Sequence, residues 1–119
     1  DNPSGPAGSV QQAAFSLGGQ NYMALQAETG FHFNESFSIM VEVEDQEALD
    51  RVWNKLLEGG SPQMCGWLKD RWGLSWQIVP KRLGELMMNP DKAVARRVAE
   101  AMMKMVKLDI APLEAAAKG

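Results

Sequence analysis

Residues 36–58, SFSIMVEVEDQEALDRVWNKLLE, decide the fold, because they place a strand directly before an amphipathic helix. Apolar and polar side chains alternate from Ser36 to Val43, which is typical of a strand with one buried face. The apolar face is formed by Phe37, Ile39, Val41 and Val43, and the mixed face by Ser38, Met40 and Glu42. Asp45 is suited to cap a helix over residues 46–58. The apolar stripe of that helix comprises Leu49, Val52, Trp53, Leu56 and Leu57.

Predicted strands flank this unit on both sides. Upstream, turn-forming residues 1–8 lead into the strands Ser9–Leu17 and Asn21–Ala27, which Gly18-Gly19-Gln20 joins as a hairpin. A loop over residues 28–35 follows. Downstream, the strands Gln63–Lys69 and Gly73–Val79 are joined by a turn at 70–73, and Pro80 ends the second. On that strand one face carries Leu74, Trp76 and Ile78, and the other carries Ser75 and Gln77.

The remainder of the chain is predicted to be helical. A short helix covers Lys81–Met88, and Asn89-Pro90-Asp91 opens the next one with Pro90 at the first helical position. The apolar stripe of that helix comprises Val94, Ala95, Val98, Ala101, Met102 and Met105. A final helix covers Ala111–Lys118. Together these segments predict a single α+β domain over residues 1–119.

Composition excludes several classes of function. The net charge of −3 comes from 12 basic and 15 acidic residues without a basic stripe, so nucleic-acid binding is not expected. The single cysteine, Cys65, cannot form an internal disulfide and indicates a reducing, cytoplasmic compartment. No run is long enough to cross a bilayer, and no signal segment is present, so no membrane partner is expected.

The run CGWLKDRWGLSWQIVP at residues 65–80 is long and distinctive. Together with Asp45-Gln46, Asp50, Trp53 and the segment MVKLDI at 105–110, it resembles the PhnB-like branch of the glyoxalase/bleomycin-resistance (vicinal oxygen chelate) superfamily. The resemblance covers the chain from about Gly8 onward. It implies βαβββ modules whose curled mixed sheet forms a cup around a small ligand or a metal.

The resemblance also implies that the first module is incomplete. Residues 9–27 correspond to the end of that module, 36–79 to the second module and 81–118 to C-terminal helices. The family's opening strand and helix have no counterpart, and the chain begins with Asp1. Because half a sheet leaves unpaired edges and an open apolar cup, we expect either a longer native N-terminus or a homodimer.

The residues at the family's metal positions argue against a tight metal site. The resemblance places these positions at Ser38, Gln77 and Gln26, whose neutral groups are poor ligands for a divalent transition metal. His32 stands alone in a loop beside two phenylalanines, which favours packing or surface exposure over ligation. Cys65 is expected within a strand as a small buried residue and not as a nucleophile. Glu42 is the acid on the mixed face of its strand, and solvation is favoured over a catalytic role.

Two other chemistries receive little support. The demethylubiquinone methyltransferase label that accompanies this family needs a cofactor site, yet Gly18-Gly19 lies in a hairpin and not between a strand and a helix. A Ser–His pair is available from Ser38 or Ser75 with His32, but no nucleophile-elbow motif surrounds either serine.

Trp67 is expected to share a strand face with Cys65 and to offer a flat wall for a ring, while Trp72 lies in a turn.

These arguments predict a site for a small organic molecule in the cup, without cofactor or tight metal, in a homodimer. The predicted ligand-binding residues combine a few polar groups with apolar surroundings: Gln26, Ser38, Glu42, Cys65, Trp67 and Gln77. Whether the chain is an enzyme stays open, because the fold hosts both isomerases and sequestering proteins. The alternatives are a metal-dependent lyase, isomerase or dioxygenase, and a non-catalytic dimeric interaction domain.

Overall fold

A computed structural model describes residues 5–119, and the chain divides after His32 into two units. The part of the predicted lead-in before Gly5 lies outside the described residues. Across 5–119, no helix combines the length and the apolar character needed to cross a membrane.

The first unit is a β-hairpin, as the glycine pair predicts. Strands β1 (Gln12–Leu17) and β2 (Gln20–Leu25) pair antiparallel, and both are shorter than expected. Gly18 and Gly19 have φ angles of 58° and 81°, which are the positive values that a type I′ turn requires. The rings of Phe15 and Tyr22 stack across the strands with centroids 5.5 Å apart. Every residue of both strands is exposed.

The second unit is built on an open four-stranded sheet. Its strands are β3 (Ser38–Val43), β4 (Ser61–Pro62), β5 (Trp67–Lys69) and β6 (Ser75–Pro80), and they lie side by side in the order β3-β6-β5-β4. β3 and β6 are parallel, and the other pairs are antiparallel. The cup that the resemblance implies is not confirmed by this open sheet. Phe37, expected on the apolar face of the first of these strands, precedes β3 and is 59% exposed.

Helix α1 (Gln46–Leu57) forms where the sequence predicts it. The Asp45 carboxylate accepts the Ala48 amide proton at 2.8 Å, and the Gly60 amide donates to Leu57 O where the helix ends. Alternation along the sheet places the apolar side chains of β3, β5 and β6 on one face. They join α1 and the C-terminal helices in one core, comprising Val43, Leu49, Trp53, Leu68, Ile78, Leu83, Leu86, Val98, Leu108 and Leu113.

The predicted strand Gln63–Lys69 is wrong over its first half. Cys65 lies in a turn between β4 and β5 with φ of 60°, in the left-handed region, and it does not share a strand face with Trp67. The amides of Cys65 and Gly66 donate to the carbonyls of Met105 and Val106 at 2.7 and 2.8 Å. These bonds to a distant segment replace the sheet pairing that an extended strand would make here.

Three helices complete the unit: α2 (Lys81–Met87), α3 (Lys92–Met102) and α4 (Ile110–Lys118). Pro90 does not occupy the first helical position of α3. The carboxylate of Asp91 caps that helix instead by accepting the Ala93 amide proton at 3.0 Å. Asp91 is therefore the N-cap residue, and Pro90 lies one residue before it, outside the helix.

Candidate functional site

The candidate site is the polar face of the four-stranded sheet, opposite its apolar face. Gln77 on β6 lies between β3 and β5, and its Nε2 donates to Ser38 Oγ on β3 at 2.9 Å. Trp67 on β5 is the cross-strand partner of Gln77, so its side chain projects from the same face. Three of the predicted ligand-binding residues therefore meet on one surface. All three are half-buried.

The turn between β5 and β6 holds these strands in register. The buried carboxylate of Asp70 accepts the amide protons of Trp72 and Leu74 at 2.9 and 3.0 Å, and the Trp76 indole Nε1 donates to its second oxygen at 2.9 Å. Leu74 consequently precedes β6, although the sequence placed it within the strand. This network determines which residues of β5 and β6 lie opposite each other, and so positions Trp67 beside Gln77.

Glu42 projects from the polar face but lies away from this group. It is four residues beyond Ser38 on β3, a separation of about 13 Å along an extended strand. Its side chain is exposed, and its register partner on β6 is Val79. The polar face thus carries an acid at one end. Met40, between the two on the same strand, is 59% exposed.

The other predicted site residues lie elsewhere. Cys65 is in the turn before β5, outside any strand. Gln26 belongs to the first unit, where it contributes with residues 10–13, Ala24 and Leu25 to a shallow concavity of about 230 Å³. Another concavity of about 610 Å³ runs along the hairpin and is lined by Ala14, Phe15, Ser16, Asn21, Tyr22 and Met23. Ligand binding by Gln26 or Cys65 stays a prediction.

Lys69 and Glu35 were not identified from the sequence, and Ser75 was placed on the face of Gln77 but was not included among the predicted ligand-binding residues. Ser75 and Lys69 are cross-strand partners, and Ser75 is also in register with Ser38, so the three side chains form one row. Glu35, just before β3, makes an ion pair with Lys69. Strand alternation alone carried the signal for Ser75 and Lys69, since they are two residues from Gln77 and Trp67. Nothing in the sequence indicated Glu35, because its position depends on a loop.

The donor set of this face does not suit a transition metal. Ser38 and Gln77 offer neutral oxygen and amide groups that are already hydrogen-bonded to each other. Within residues 5–119, no three His, Cys, Asp or Glu side chains come together in a group that could hold a metal ion. Zinc and other divalent transition-metal ions are bound tightly by imidazole, thiolate or carboxylate ligands. The residues present therefore do not fit the metal that related folds would imply.

Comparison with known proteins identifies the family. The family model described as 3-demethylubiquinone-9 3-methyltransferase matches residues 1–79. A PhnB protein from Bacillus cereus is 33% identical, with a TM-score of 0.60 over 67% of this chain and 71% of that one. Protein PA1353 from Pseudomonas aeruginosa is 26% identical, with a TM-score of 0.53 over the same shares. No curated protein matches the chain. On the family model and these structures, the chain belongs to the PhnB-like family.

Proposed function

We propose that this PhnB-like chain binds a small organic molecule on the polar face of β3, β6 and β5, without a tightly bound metal. The observation that carries the proposal is the Gln77–Ser38 hydrogen bond beside the half-buried ring of Trp67. Small-molecule sites combine a few oriented polar groups with apolar and aromatic walls. Here the Gln77 amide and the Ser38 hydroxyl orient the ligand, and the Trp67 indole supplies a flat apolar surface.

We do not assign methyl transfer to this chain, although the matching family model is described as a methyltransferase. A nucleotide-type cofactor is usually held by backbone amides of a glycine-rich turn between a strand and a helix. In this chain β3 passes to α1 through Glu44 and Asp45, and β6 passes directly into α2. Neither junction contains glycine. The binding residues on the polar face are accordingly assigned to a ligand and not to a cofactor.

We further propose that the site is completed in a homodimer, in which the sheets form the cup of the glyoxalase/bleomycin-resistance superfamily. The support is the amount of apolar surface on the hairpin, where Met23 and Leu25 are each 66% exposed. A two-stranded hairpin is marginally stable alone, so it gains from burial against another surface. The free edge of β3 provides a second reason for association.

Native mass spectrometry after exposure to a cell extract of small molecules tests the binding proposal. We expect the buffer-exchanged protein to retain a discrete small mass. Trp67→Leu and the double variant Ser38→Ala/Gln77→Leu should lose that mass. Trp72→Leu is the matched control, because Trp72 lies in the β5–β6 turn and is 73% exposed. Retention of the same mass by all variants would place binding elsewhere, and no retained mass would contradict binding. A stoichiometric transition metal would overturn the metal-free part.

A further inference from the structure

A row of three hydrophilic side chains crosses the polar face of the sheet. Ser75 on β6 is in register with Ser38 on β3 and with Lys69 on β5. Paired residues on neighbouring strands have Cβ atoms about 4.5–5.5 Å apart, so neighbouring side chains in the row can act on one bound group. The next row along the strands contains Met40, Gln77 and Trp67.

The central serine of this row lacks a partner. Ser75 is fully buried, and its Oγ makes no hydrogen bond within the part of the chain that the structure describes. A buried hydroxyl that makes no hydrogen bond costs folding free energy, so an orphan of this kind calls for an explanation. Ser38 Oγ accepts a hydrogen bond from Gln77 Nε2, which leaves its own hydroxyl proton available for donation. Two hydroxyl donors are therefore adjacent in the row.

Lys69 supplies a positive charge at the end of the row, and a carboxylate already binds it. The side chain of Lys69 is 31% exposed and pairs with the carboxylate of Glu35, which is 54% exposed. The hydrogen bond from Lys69 lowers the pKa of Glu35, with help from the Glu35 backbone and from Gln63. Glu35 is thus ionised at neutral pH. Exposed ion pairs contribute little to stability, so another carboxylate can replace this one at little cost.

We infer that Lys69, Ser75 and Ser38 form a subsite for the carboxylate of a small organic acid, and that Glu35 occupies Lys69 until the acid displaces it. This inference rests on the proposed function and adds the chemical class of the ligand. Displacement of Glu35 frees the ammonium of Lys69 for an incoming carboxylate, and the unpartnered hydroxyl of Ser75 is the neighbouring group in the row. Hydrogen bonds from these donors to an ionised acceptor are stronger than neutral ones.

The rest of the polar face sets the direction of the bound acid. Trp67 and Met40, in the neighbouring row, offer apolar surface to the body of the molecule. Glu42 lies at the far end of β3 and repels a carboxylate there. The acid group therefore binds at the Lys69 end, with the apolar part over Trp67. A flat ring bearing one carboxylate is the simplest molecule with this shape and charge.

Benzoate and benzamide test the inference, since they have nearly the same shape and differ in charge. We would titrate each into the ¹⁵N-labelled full chain and follow the backbone amide signals of Lys69 and Ser75. Benzoate should shift both signals and bind at least about tenfold more tightly than benzamide. Lys69→Met should weaken the binding of benzoate by about tenfold or more. Glu35→Gln should strengthen the binding of benzoate several-fold, because the competing carboxylate is removed. A purely structural role for Glu35 would not produce tighter binding.

Lys81→Met is the matched control. Lys81 forms an ion pair with Glu44, with 4.0 Å between Nζ and the carboxylate oxygen, and neither residue belongs to this row. The substitution should leave benzoate binding unchanged. Equal binding of benzoate and benzamide, with no effect of Lys69→Met, would overturn the carboxylate subsite while leaving the proposed function intact. Failure of benzoate to shift Lys69 and Ser75 would also overturn it. In that case native mass spectrometry tests the proposed function separately. The proposed function stands if the parent protein retains a small mass from cell extract and Trp67→Leu does not.

Discussion

Gly60 occupies a position that no other residue can fill without moving the backbone. A Cβ built there would lie 2.0 Å from the carbonyl oxygen of Lys69, and 3.0 Å from backbone atoms of Asp70. Because these are main-chain atoms, the clash cannot be relieved by rotating a side chain. We expect Gly60→Ala to lower the free energy of unfolding in urea by about 2–3 kcal/mol.

Gly84 provides the matched control for that measurement. It lies on the exposed side of α2, and a Cβ there would meet nothing within 4 Å. Gly84→Ala should therefore raise the free energy of unfolding by about 0.5–1 kcal/mol, because alanine restricts the unfolded chain. Equal stability of Gly60→Ala and the parent protein would show that Gly60 does not pack closely against the end of β5.

Helix α1 and the segment that leads into α4 are tied together by one side chain. Gln46 Nε2 donates to Leu108 O at 3.1 Å and to Asp50 Oδ1 at 2.9 Å, while Gln46 Oε1 accepts the Ile110 amide proton at 2.8 Å. Gln46→Ala should lower the free energy of unfolding by about 1–2 kcal/mol and speed hydrogen exchange at Ile110. Glu47→Ala, an exposed neighbour on α1, should leave that exchange rate unchanged. An unchanged hydrogen-exchange rate at Ile110 in Gln46→Ala would contradict the conclusion that Gln46 holds this segment against α1.

The stability that this junction contributes to the folded protein depends on pH. Lys107 Nζ lies 2.9 Å from Asp50 Oδ1, and its hydrogen bond, followed by that of Gln46, lowers the pKa of Asp50. A folded pKa below the unfolded value of about 4 means that the pair stabilises the protein above that pH. This stabilisation is lost as the pH falls through the folded pKa. The parent should exceed Lys107→Met in urea stability by up to about 1 kcal/mol at pH 7 and by less near pH 3. A constant difference would contradict this account.

These contacts explain what could and could not be predicted from the sequence. The hairpin, β3, β6 and the four helices follow from local sequence patterns, and the structure has them within a few residues of the predicted bounds, whereas the strand predicted over Gln63–Lys69 is wrong in its first half. Gln46, Asp50 and Lys107 belong to the motifs that contributed to the family resemblance, yet in the structure they support the C-terminal segment and do not line the polar face. Cys65 was misplaced because its backbone follows bonds to Met105 O, about forty residues away. Lys69 and Glu35 were missed for a related reason, since only the folded chain brings them together.

Large apolar side chains are exposed in both units of the described chain. On the hairpin, Met23 and Leu25 project from one face, and Phe15 and Tyr22 stack on the other. In the second unit, Met40 and Met88 are 59% and 84% exposed. Scattered exposed apolar residues are common in monomers, whereas a hairpin with apolar side chains exposed on both faces is the surface that we expect to be buried if the chain associates.

We therefore expect the chain to sediment as a homodimer at micromolar concentration. Met23→Lys/Leu25→Lys places two charges on one face of β2 and should shift the sedimentation coefficient to that of the monomer, because burying unpaired ammonium groups is unfavourable. Met103→Lys is the control, since Met103 is 63% exposed where α3 ends and lies outside the hairpin. A monodisperse monomer of the parent protein would contradict the dimer. A dimer that persists in the double variant would move the interface away from this face, and the free edge of β3 would become the next surface to test.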